Sequence, residues 1–201
     1  GLVSARYCCV MCKERIMYKS IPNRELLNSG KYSNMFREVG VSDFHEACEY
    51  VWKLPYGRTS ERSNWDLVLS EGKGACSTKH ALLKALSNEL ALDIDLVVGI
   101  YLMHENNTPG VGDVLSEYGL EYIPEAHCYL RHSGSRIDLT RHGAQAEEEI
   151  AEFLTEKVIE PQGIGAEKQE YHRECVRREF GEAEFDRVWS AREECISAIS
   201  T

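Results

Sequence analysis

One segment of the chain constrains the fold more than any other. The stretch EGKGACSTKHALLKALSNEL, residues 71–90, passes through a pair of glycines and predicts a helix from Ala75 to Leu90. Its apolar residues cover most of the helix circumference: Ala75, Cys76, Ala81, Leu82, Leu83, Ala85, Leu86 and Leu90. A helix that is apolar on nearly all sides is buried on nearly all sides. We therefore predict a central helix around which other elements pack.

The segments after this helix predict strands. An apolar run from Leu96 to Met103 has the length of a strand. The sequence EAHCYLRHSGSRIDLT, residues 125–140, predicts a β-hairpin that turns at its Ser-Gly pair. The predicted fold class is therefore α+β, with the buried helix packed on a small antiparallel sheet and extra helices at both ends.

Weaker patterns complete the outline. A helix is predicted from Asp43 to Lys53, with Ser42 as its N-cap and an apolar stripe on one face. The sequence also predicts the structure of five other segments. These are two short helices in 20–39, a short strand or extended run in 66–74, a loop in 104–124, an amphipathic helix in 143–159, and one or two helices with a joint at Gly181 in 166–199.

The whole chain, 1–201, is predicted to form a single domain. We divide it into an N-terminal helical extension at 1–40, a core at 41–142 and C-terminal helices at 143–201. No internal repeat or low-complexity tract interrupts it.

The charge balance argues against two classes of partner. The 201 residues include 33 acidic and 23 basic side chains, for a formal net charge of -10. A nucleic-acid-binding protein needs a basic face, so no nucleic-acid partner is predicted. No apolar run approaches the roughly 18 residues of a membrane span, and the first twenty residues lack the long apolar centre of a secretory signal. We expect a cytoplasmic protein with no membrane partner.

Eight cysteines raise the questions of disulfides and metal. No secretory context is visible, so a disulfide framework is not expected. Cys8, Cys9 and Cys12 form a C-C-x-x-C cluster that matches half of a zinc site or a redox pair. Because no second C-x-x-C follows, we interpret the cluster as part of an exposed or loosely packed extension. No cofactor and no metal are predicted.

Cys76 lies in the first turn of the predicted central helix, and two interpretations of it compete. A free cysteine is often a small buried core residue. A cysteine at a helix N-terminus can instead be a thiolate nucleophile, because the helix dipole favours negative charge there.

The hairpin supplies the partners that a thiolate needs. His127 and Asp138 lie on its two predicted strands. If the turn has an even length, the two side chains face the same side, directly opposite or one diagonal step apart. The carboxylate could then orient the imidazole, as in nucleophile–base–orienter triads. The alternative is an ordinary cross-strand pair at the surface.

These motifs together resemble the transglutaminase-like superfamily, which has a papain-like cysteine-protease core. The resemblance covers about Trp65 to Thr140 and consists of GACSTKHALLKAL, the strand LVVGIYL, EAHCYL and RIDLT, in that order. It implies a Cys76–His127–Asp138 triad acting on an amide bond of a peptide, a protein or a small molecule. The extra β-domains and a calcium loop of the large animal transglutaminases have no counterpart here.

The resemblance also implies an oxyanion site. The Cys76 backbone N–H is one expected donor, and the Trp65 indole N–H or the Asn64 amide is the other. The expected reaction is hydrolysis when water takes the acyl group, and transfer when a second amine takes it. The sequence does not indicate the oligomeric state.

Two other classes of function stay open. An inactive relative could keep the fold and bind a peptide or protein. A metal site could be built from Cys76, His80 and His127, with Asp138 bound to the metal or behind the ligands. His80 lies one turn beyond Cys76, and we interpret it as a packed polar residue. Glu125 is interpreted as a surface charge.

Overall fold

The computed structural model of the protein describes residues 18–142 and 150–199. In these residues the α-helices are α1 (Lys31–Glu38), α2 (Phe44–Lys53), α3 (Leu67–Glu71), α4 (Cys76–Glu89), α5 (Gly112–Glu117), α6 (Ala166–Phe180) and α7 (Phe185–Ala198). The strands are β1 (Asp95–Met103), β2 (Ile123–His132), β3 (Ser135–Ile137) and β4 (Thr155–Ile159). The four strands form one antiparallel sheet in the order β3-β2-β1-β4. The α+β class is confirmed.

The described residues group into two compact units. The first comprises 18–97, 128–142 and 159–162, and the second comprises 98–127, 150–158 and 163–199. Strands β1 and β2 each contribute residues to both units, with the boundaries after Val97 and after His127.

The core of the first unit is built around α4. Helices α1, α2 and α3 all pack against it. Every residue from Ser77 to Ser87 is buried, which confirms the predicted central helix. The apolar stripe predicted for α2 is also buried: Phe44, Ala47, Cys48, Val51 and Trp52.

The start of α2 differs from the prediction by one residue. Asp43, not Ser42, is the N-cap, and its side chain accepts a hydrogen bond from the Glu46 N–H at 2.9 Å. Ser42 instead donates its N–H and its hydroxyl to the Glu46 carboxylate, at 2.8 and 2.7 Å. The two contacts satisfy the first turn reciprocally, as in a capping box shifted by one position.

Three short segments show where the sequence pattern is misleading. The predicted extended run in 66–74 is the helix α3, which ends at Gly72 in the left-handed conformation, φ 64°. The predicted loop 104–124 contains the helix α5. Of the two short helices expected in 20–39, only α1 is an α-helix, preceded by a 3₁₀ turn at Tyr18–Ser20. Segments this short hold too few residues to show a helical period.

The predicted hairpin is confirmed. Ser133 and Gly134 both have positive φ, 48° and 78°, as a two-residue turn of the favoured type I′ requires. The register pairs Leu130 with Ile137, Arg131 with Arg136 and His132 with Ser135.

The helix expected in 143–159 is wrong over the residues that the structure describes. Residues 150–154 are not helical, and Thr155–Ile159 is the strand β4 at the edge of the sheet. The Leu154 N–H donates to the Ile100 carbonyl at 2.7 Å, and the Phe153 ring covers Gly99, where a Cβ would overlap it. These contacts with β1 outweigh the local helix propensity of an Ala- and Glu-rich sequence.

The second unit has its own apolar core. Its buried members come from β1, β2, helices α5 to α7 and the N-cap of α5: Tyr101, Met103, Val111, Leu115, Ile123, Val176, Phe185, Val188, Ala191 and Cys195. Helix α7 packs against α5 and α6. The joint predicted at Gly181 is confirmed, because this residue has φ 83° between α6 and the turn that leads to α7.

Candidate active site

Cys76 is the first residue of α4. Ala75 is the N-cap in an extended conformation, and its N–H donates to the Thr78 hydroxyl at 3.0 Å. The N-terminal turn of a helix carries a partial positive charge, which stabilises a thiolate. The thiol is thus attached where the helix dipole favours its ionised form.

Exposure separates Cys76 from the other described cysteines. It is partly exposed, whereas Cys48, Cys128, Cys175 and Cys195 are buried. Burial raises the pKa of the Cys195 thiol to about 11 and also raises the pKa of Cys48 and Cys175. Cysteines with raised pKa values in apolar surroundings are inert. Among the described cysteines, Cys76 is therefore the one placed to react.

The loop before Cys76 is held tightly. The Gly74 N–H donates to the Pro55 carbonyl, and the Gly74 carbonyl accepts from the Gly57 N–H, each at 3.2 Å. A Cβ on Gly74 would lie 2.7 Å from Cγ of Lys79, so no larger residue fits. The start of α4 has a fixed position as a result.

His80 connects the Cys76 turn to the segment that carries Asp138. Its ring is fully buried, and Nδ1 donates to the Cys76 carbonyl at 2.7 Å. Its Nε2 accepts from the Leu139 N–H at 2.8 Å. Because Nε2 accepts, the ring is neutral and carries its proton on Nδ1. The interpretation of His80 as a packed polar residue is confirmed, and its bonds anchor two predicted site segments.

Asp138 lies one residue beyond β3, close to that anchor. One carboxylate oxygen accepts from the Thr140 N–H at 3.0 Å and from the Thr140 hydroxyl at 2.5 Å. The same oxygen is 3.8 Å from Nε2 of His80, too far for a hydrogen bond. Thr140 therefore fixes the orientation of the carboxylate.

His127 lies on β2 and is partly exposed, whereas its neighbour Cys128 is buried. Asp138 comes directly after β3, one residue past the last pair of the hairpin register, Leu130 with Ile137. The turn has two residues, the even length on which the predicted diagonal arrangement depends.

Lys79 is a fully buried lysine in the second turn of α4. Its Nζ donates to the Leu54 carbonyl at 2.5 Å and to the Thr140 carbonyl at 2.9 Å. Burial, together with the positive charge of Arg141, lowers its pKa to about 8, although Asp138 acts in the opposite direction. Sequence patterns do not reveal this residue, because lysine is seldom buried.

The two predicted side-chain oxyanion donors are directed at other groups. The Trp65 indole N–H donates to the Tyr32 hydroxyl at 3.0 Å. The Asn64 amide N–H₂ faces Glu61 at 3.5 Å, and its oxygen accepts from the Asp66 N–H. Both residues stabilise the turn before α3 through these contacts.

A buried ion pair in the second unit is a finding that sequence reasoning missed. Glu125, interpreted as a surface charge, is only 5% exposed and accepts two hydrogen bonds from Arg192, at 2.7 and 2.9 Å. Burial, the largest effect, would raise the pKa of Glu125, but the positive charges of Arg192, His172 and Lys168 and the Arg192 hydrogen bonds together lower it. His172 lies nearby and donates Nε2–H to the Pro124 carbonyl at 2.7 Å.

The described residues contain neither a cluster of metal ligands nor a membrane-spanning helix. Across 18–142 and 150–199, no group of three or more His, Cys, Asp and Glu side chains is arranged to hold a metal ion. The Cys8–Cys9–Cys12 cluster lies outside the described residues. No helix in the described ranges is both long and apolar enough to cross a bilayer.

Comparisons with known proteins give no relative. No family model, no curated protein and no solved structure matches this chain.

Proposed function

We propose that the protein is a cysteine-dependent hydrolase or acyltransferase that acts on an amide bond. Cys76 is the nucleophile, His127 the general base and Asp138 the residue that orients the imidazole. One observation carries the proposal: Cys76 opens a buried helix and is the one partly exposed cysteine among those described. A thiol at a helix N-terminus with access to solvent is the usual setting of a reactive cysteine.

The proposed reaction proceeds through a thioester. His127 takes the thiol proton, and the Cys76 sulfur adds to the amide carbonyl. Negative charge then develops on the carbonyl oxygen, and the Cys76 backbone N–H at the helix start is the donor that we assign to it. The C–N bond breaks as His127 returns the proton to the departing amine. Water hydrolyses the thioester, or a second amine takes the acyl group.

The hairpin register supports the roles of His127 and Asp138. We propose that the pairing continues one residue past β3, so that Asp138 comes opposite Tyr129, whose side chain shares a face of β2 with that of His127. Asp138 is itself held by Thr140. A fixed carboxylate can keep one imidazole nitrogen protonated, so that the other nitrogen serves as the base.

The order of the elements supports the resemblance to the transglutaminase-like superfamily. A cysteine opens a buried helix, a histidine follows on a strand, and an aspartate comes directly after the next strand. We propose that this arrangement is a papain-like core. The five described cysteines are free thiols, as expected in the reducing cytoplasm where we place the protein. Peptides, proteins and small amides are the proposed substrates.

Acylation with p-nitrophenyl acetate tests this function. The thiolate attacks the ester carbonyl, p-nitrophenolate leaves, and an acetyl thioester remains. Trypsin cleaves after Lys73 and Lys79, so Cys76 lies on its own peptide, and the other cysteine peptides of the digest serve as comparison. We expect a burst of about one p-nitrophenolate per chain, with the added mass on the Cys76 peptide.

The variants and an added amine complete this test. Cys76→Ser should abolish the burst, while His127→Ala should slow it at least about a hundredfold, the usual contribution of general acid–base catalysis. Methylamine should speed the loss of the thioester in an acyltransferase and leave it unchanged in a hydrolase. A folded protein with no acylation at Cys76 would overturn the proposal and favour a binding domain.

A further inference from the structure

Basic residues flank Cys76 in an otherwise acidic chain. The formal net charge is -10, yet a lysine stands three residues before Cys76 and another three residues after it. Lys73 lies three residues before Cys76, with its aliphatic stem over Gly57. Lys79 follows three residues after Cys76, and Arg141 follows Asp138 by three residues in the same unit.

Arg141 is tied to the loop that leads into Cys76. Its guanidinium carbon lies 3.9 Å from the centre of the Tyr56 ring. Tyr56 in turn forms a backbone bridge with Gly74, two residues before the thiol. A cation that is held over an aromatic ring keeps its charge. Because its side chain is already ordered, it loses little conformational entropy when it binds an anion.

A second set of contacts fixes the backbone at Arg141. The Trp52 indole N–H donates to the Arg141 carbonyl at 2.7 Å. The preceding carbonyl, that of Thr140, accepts from Lys79 on α4 at 2.9 Å. Arg141 is therefore anchored both to the loop before Cys76 and to the helical turn after it.

Two nearby carboxylates accept hydrogen bonds from neutral groups. Asp138 accepts from the Thr140 N–H and hydroxyl. Glu71, whose pKa is lowered first by its hydrogen bond with Ser60 and less by Lys73, accepts from the Ser60 N–H and hydroxyl. The positive charge of Arg141 adds to burial in lowering the pKa of Lys79, since like charges that lie near each other disfavour the charged form.

We propose that Arg141, held on Tyr56 and assisted by Lys73, forms a subsite for a negatively charged group of the substrate. This inference rests on the proposed function of Cys76 and adds the substrate class: amides that carry a carboxylate or another acidic group close to the bond that is cleaved. The guanidinium is a positioning group for that acid and takes no part in the proton transfers.

Two alkylating reagents test the subsite. Iodoacetate and iodoacetamide transfer groups of similar size to the same sulfur and release the same iodide, but only iodoacetate is an anion. The ratio of their rate constants at Cys76, compared with the ratio for N-acetylcysteine amide, measures attraction of the anion. Because both reagents report on one thiol, changes in the thiolate fraction cancel in the ratio.

We expect the iodoacetate to iodoacetamide ratio at Cys76 to exceed that of the free thiol. Arg141→Gln should lower the ratio about fivefold, the effect of one unit charge a few ångströms away in water. Arg141→Lys should retain most of it. In 1 M salt, where the Debye length is about 3 Å, the wild-type ratio should fall towards that of Arg141→Gln.

Arg136→Gln is the matched control, because Arg136 also lies over a tyrosine ring, that of Tyr129, at 5.0 Å in the same unit. Its ratio should equal that of the wild type. If Cys76 reacts rapidly with both reagents but Arg141→Gln leaves the ratio unchanged, the subsite is wrong and the proposed function stands. If Cys76 reacts no faster than the free thiol with either reagent, both proposals are wrong.

Discussion

At the scale of single residues, the start of α4 depends on two buried polar side chains. His80 and Lys79 follow Cys76 on the helix, and both are fully buried. Their hydrogen bonds reach Leu139 and Thr140, the residues directly after Asp138. A buried polar group is costly unless it is paired, so these bonds specify how α4 meets the end of the hairpin.

Replacing His80 should destabilise the first unit. His80→Ala removes the bonds to the Cys76 carbonyl and the Leu139 N–H, leaves a buried donor without an acceptor and opens a cavity. We expect the free energy of unfolding, measured in urea, to fall by about 3 kcal/mol. His45→Ala is the matched control, because the half-buried His45 ring has a hydrogen bond with the Ile21 carbonyl and an edge contact with Tyr18, and about 1 kcal/mol is expected. Equal losses in the two variants would contradict this account of His80.

The lowered pKa of Lys79 predicts a specific pH dependence of the free energy of unfolding. Its pKa in the folded protein is about 8, below the ordinary 10.5. Between these values the unfolded chain binds a proton that the folded protein does not, so the free energy of unfolding rises with pH. Below pH 8 both states are protonated, and the full cost of the buried charge is present.

The Lys79→Met variant isolates this effect. The difference in unfolding free energy between wild type and Lys79→Met should be constant from pH 6 to pH 7.5 and should shift in favour of the wild type from about pH 8 to pH 10. Urea unfolding at each pH gives the two curves. A difference that stays flat over the whole range would show that Lys79 keeps its ordinary pKa.

At the scale of elements, long periodic segments were predictable and short ones were not. The central helix, β1 and the hairpin have clear patterns over nine or more residues, and the structure confirms all three. Helix α3 has five residues, and strand β4 also has five, within a sequence that favours helix. Contacts such as that of Phe153 with Gly99 decide the second case, and a single sequence does not display them.

The ion pair between α7 and β2 is the least predictable contact of the second unit. Glu125 and Arg192 are 67 residues apart in the chain. Their side chains are only 7% and 15% exposed, so each charge depends on the other. No local pattern in the sequence indicates that these two residues meet, and a single glutamate is most often a surface charge.

Removing one member of this ion pair should lower the free energy of unfolding more than replacing both members with apolar residues. Arg192→Met leaves the Glu125 carboxylate buried without its cation, and the unfolding free energy should fall by about 3 to 5 kcal/mol. The double variant Glu125→Leu/Arg192→Met buries no charge, and its stability should lie within about 2 kcal/mol of the wild type. Thermal and urea unfolding of the three proteins checks the comparison. A double variant less stable than Arg192→Met alone would contradict it.

At the scale of the whole molecule, sequence motifs predict the candidate catalytic residues but do not indicate the groups that hold their segments. Cys76, His127 and Asp138 were chosen from motif order, and the structure places them at a helix start, on a strand and directly after the next strand. The groups that hold these segments, among them His80, Lys79 and Thr140, act through tertiary hydrogen bonds. Such bonds depend on which segments lie close together in the fold, and the composition and periodicity of a sequence do not indicate this.

The pH dependence of Cys76 alkylation tests the central claim most directly. Iodoacetamide labelling of the tryptic peptide Gly74–Lys79 is followed from pH 4 to pH 10 in the wild type, His127→Ala and Asp138→Asn. An activated thiolate should give a wild-type rate that is half-maximal below pH 7, and both variants should move that midpoint towards the ordinary thiol pKa of about 8.5. A wild-type midpoint near 8.5 that neither variant changes would contradict the triad.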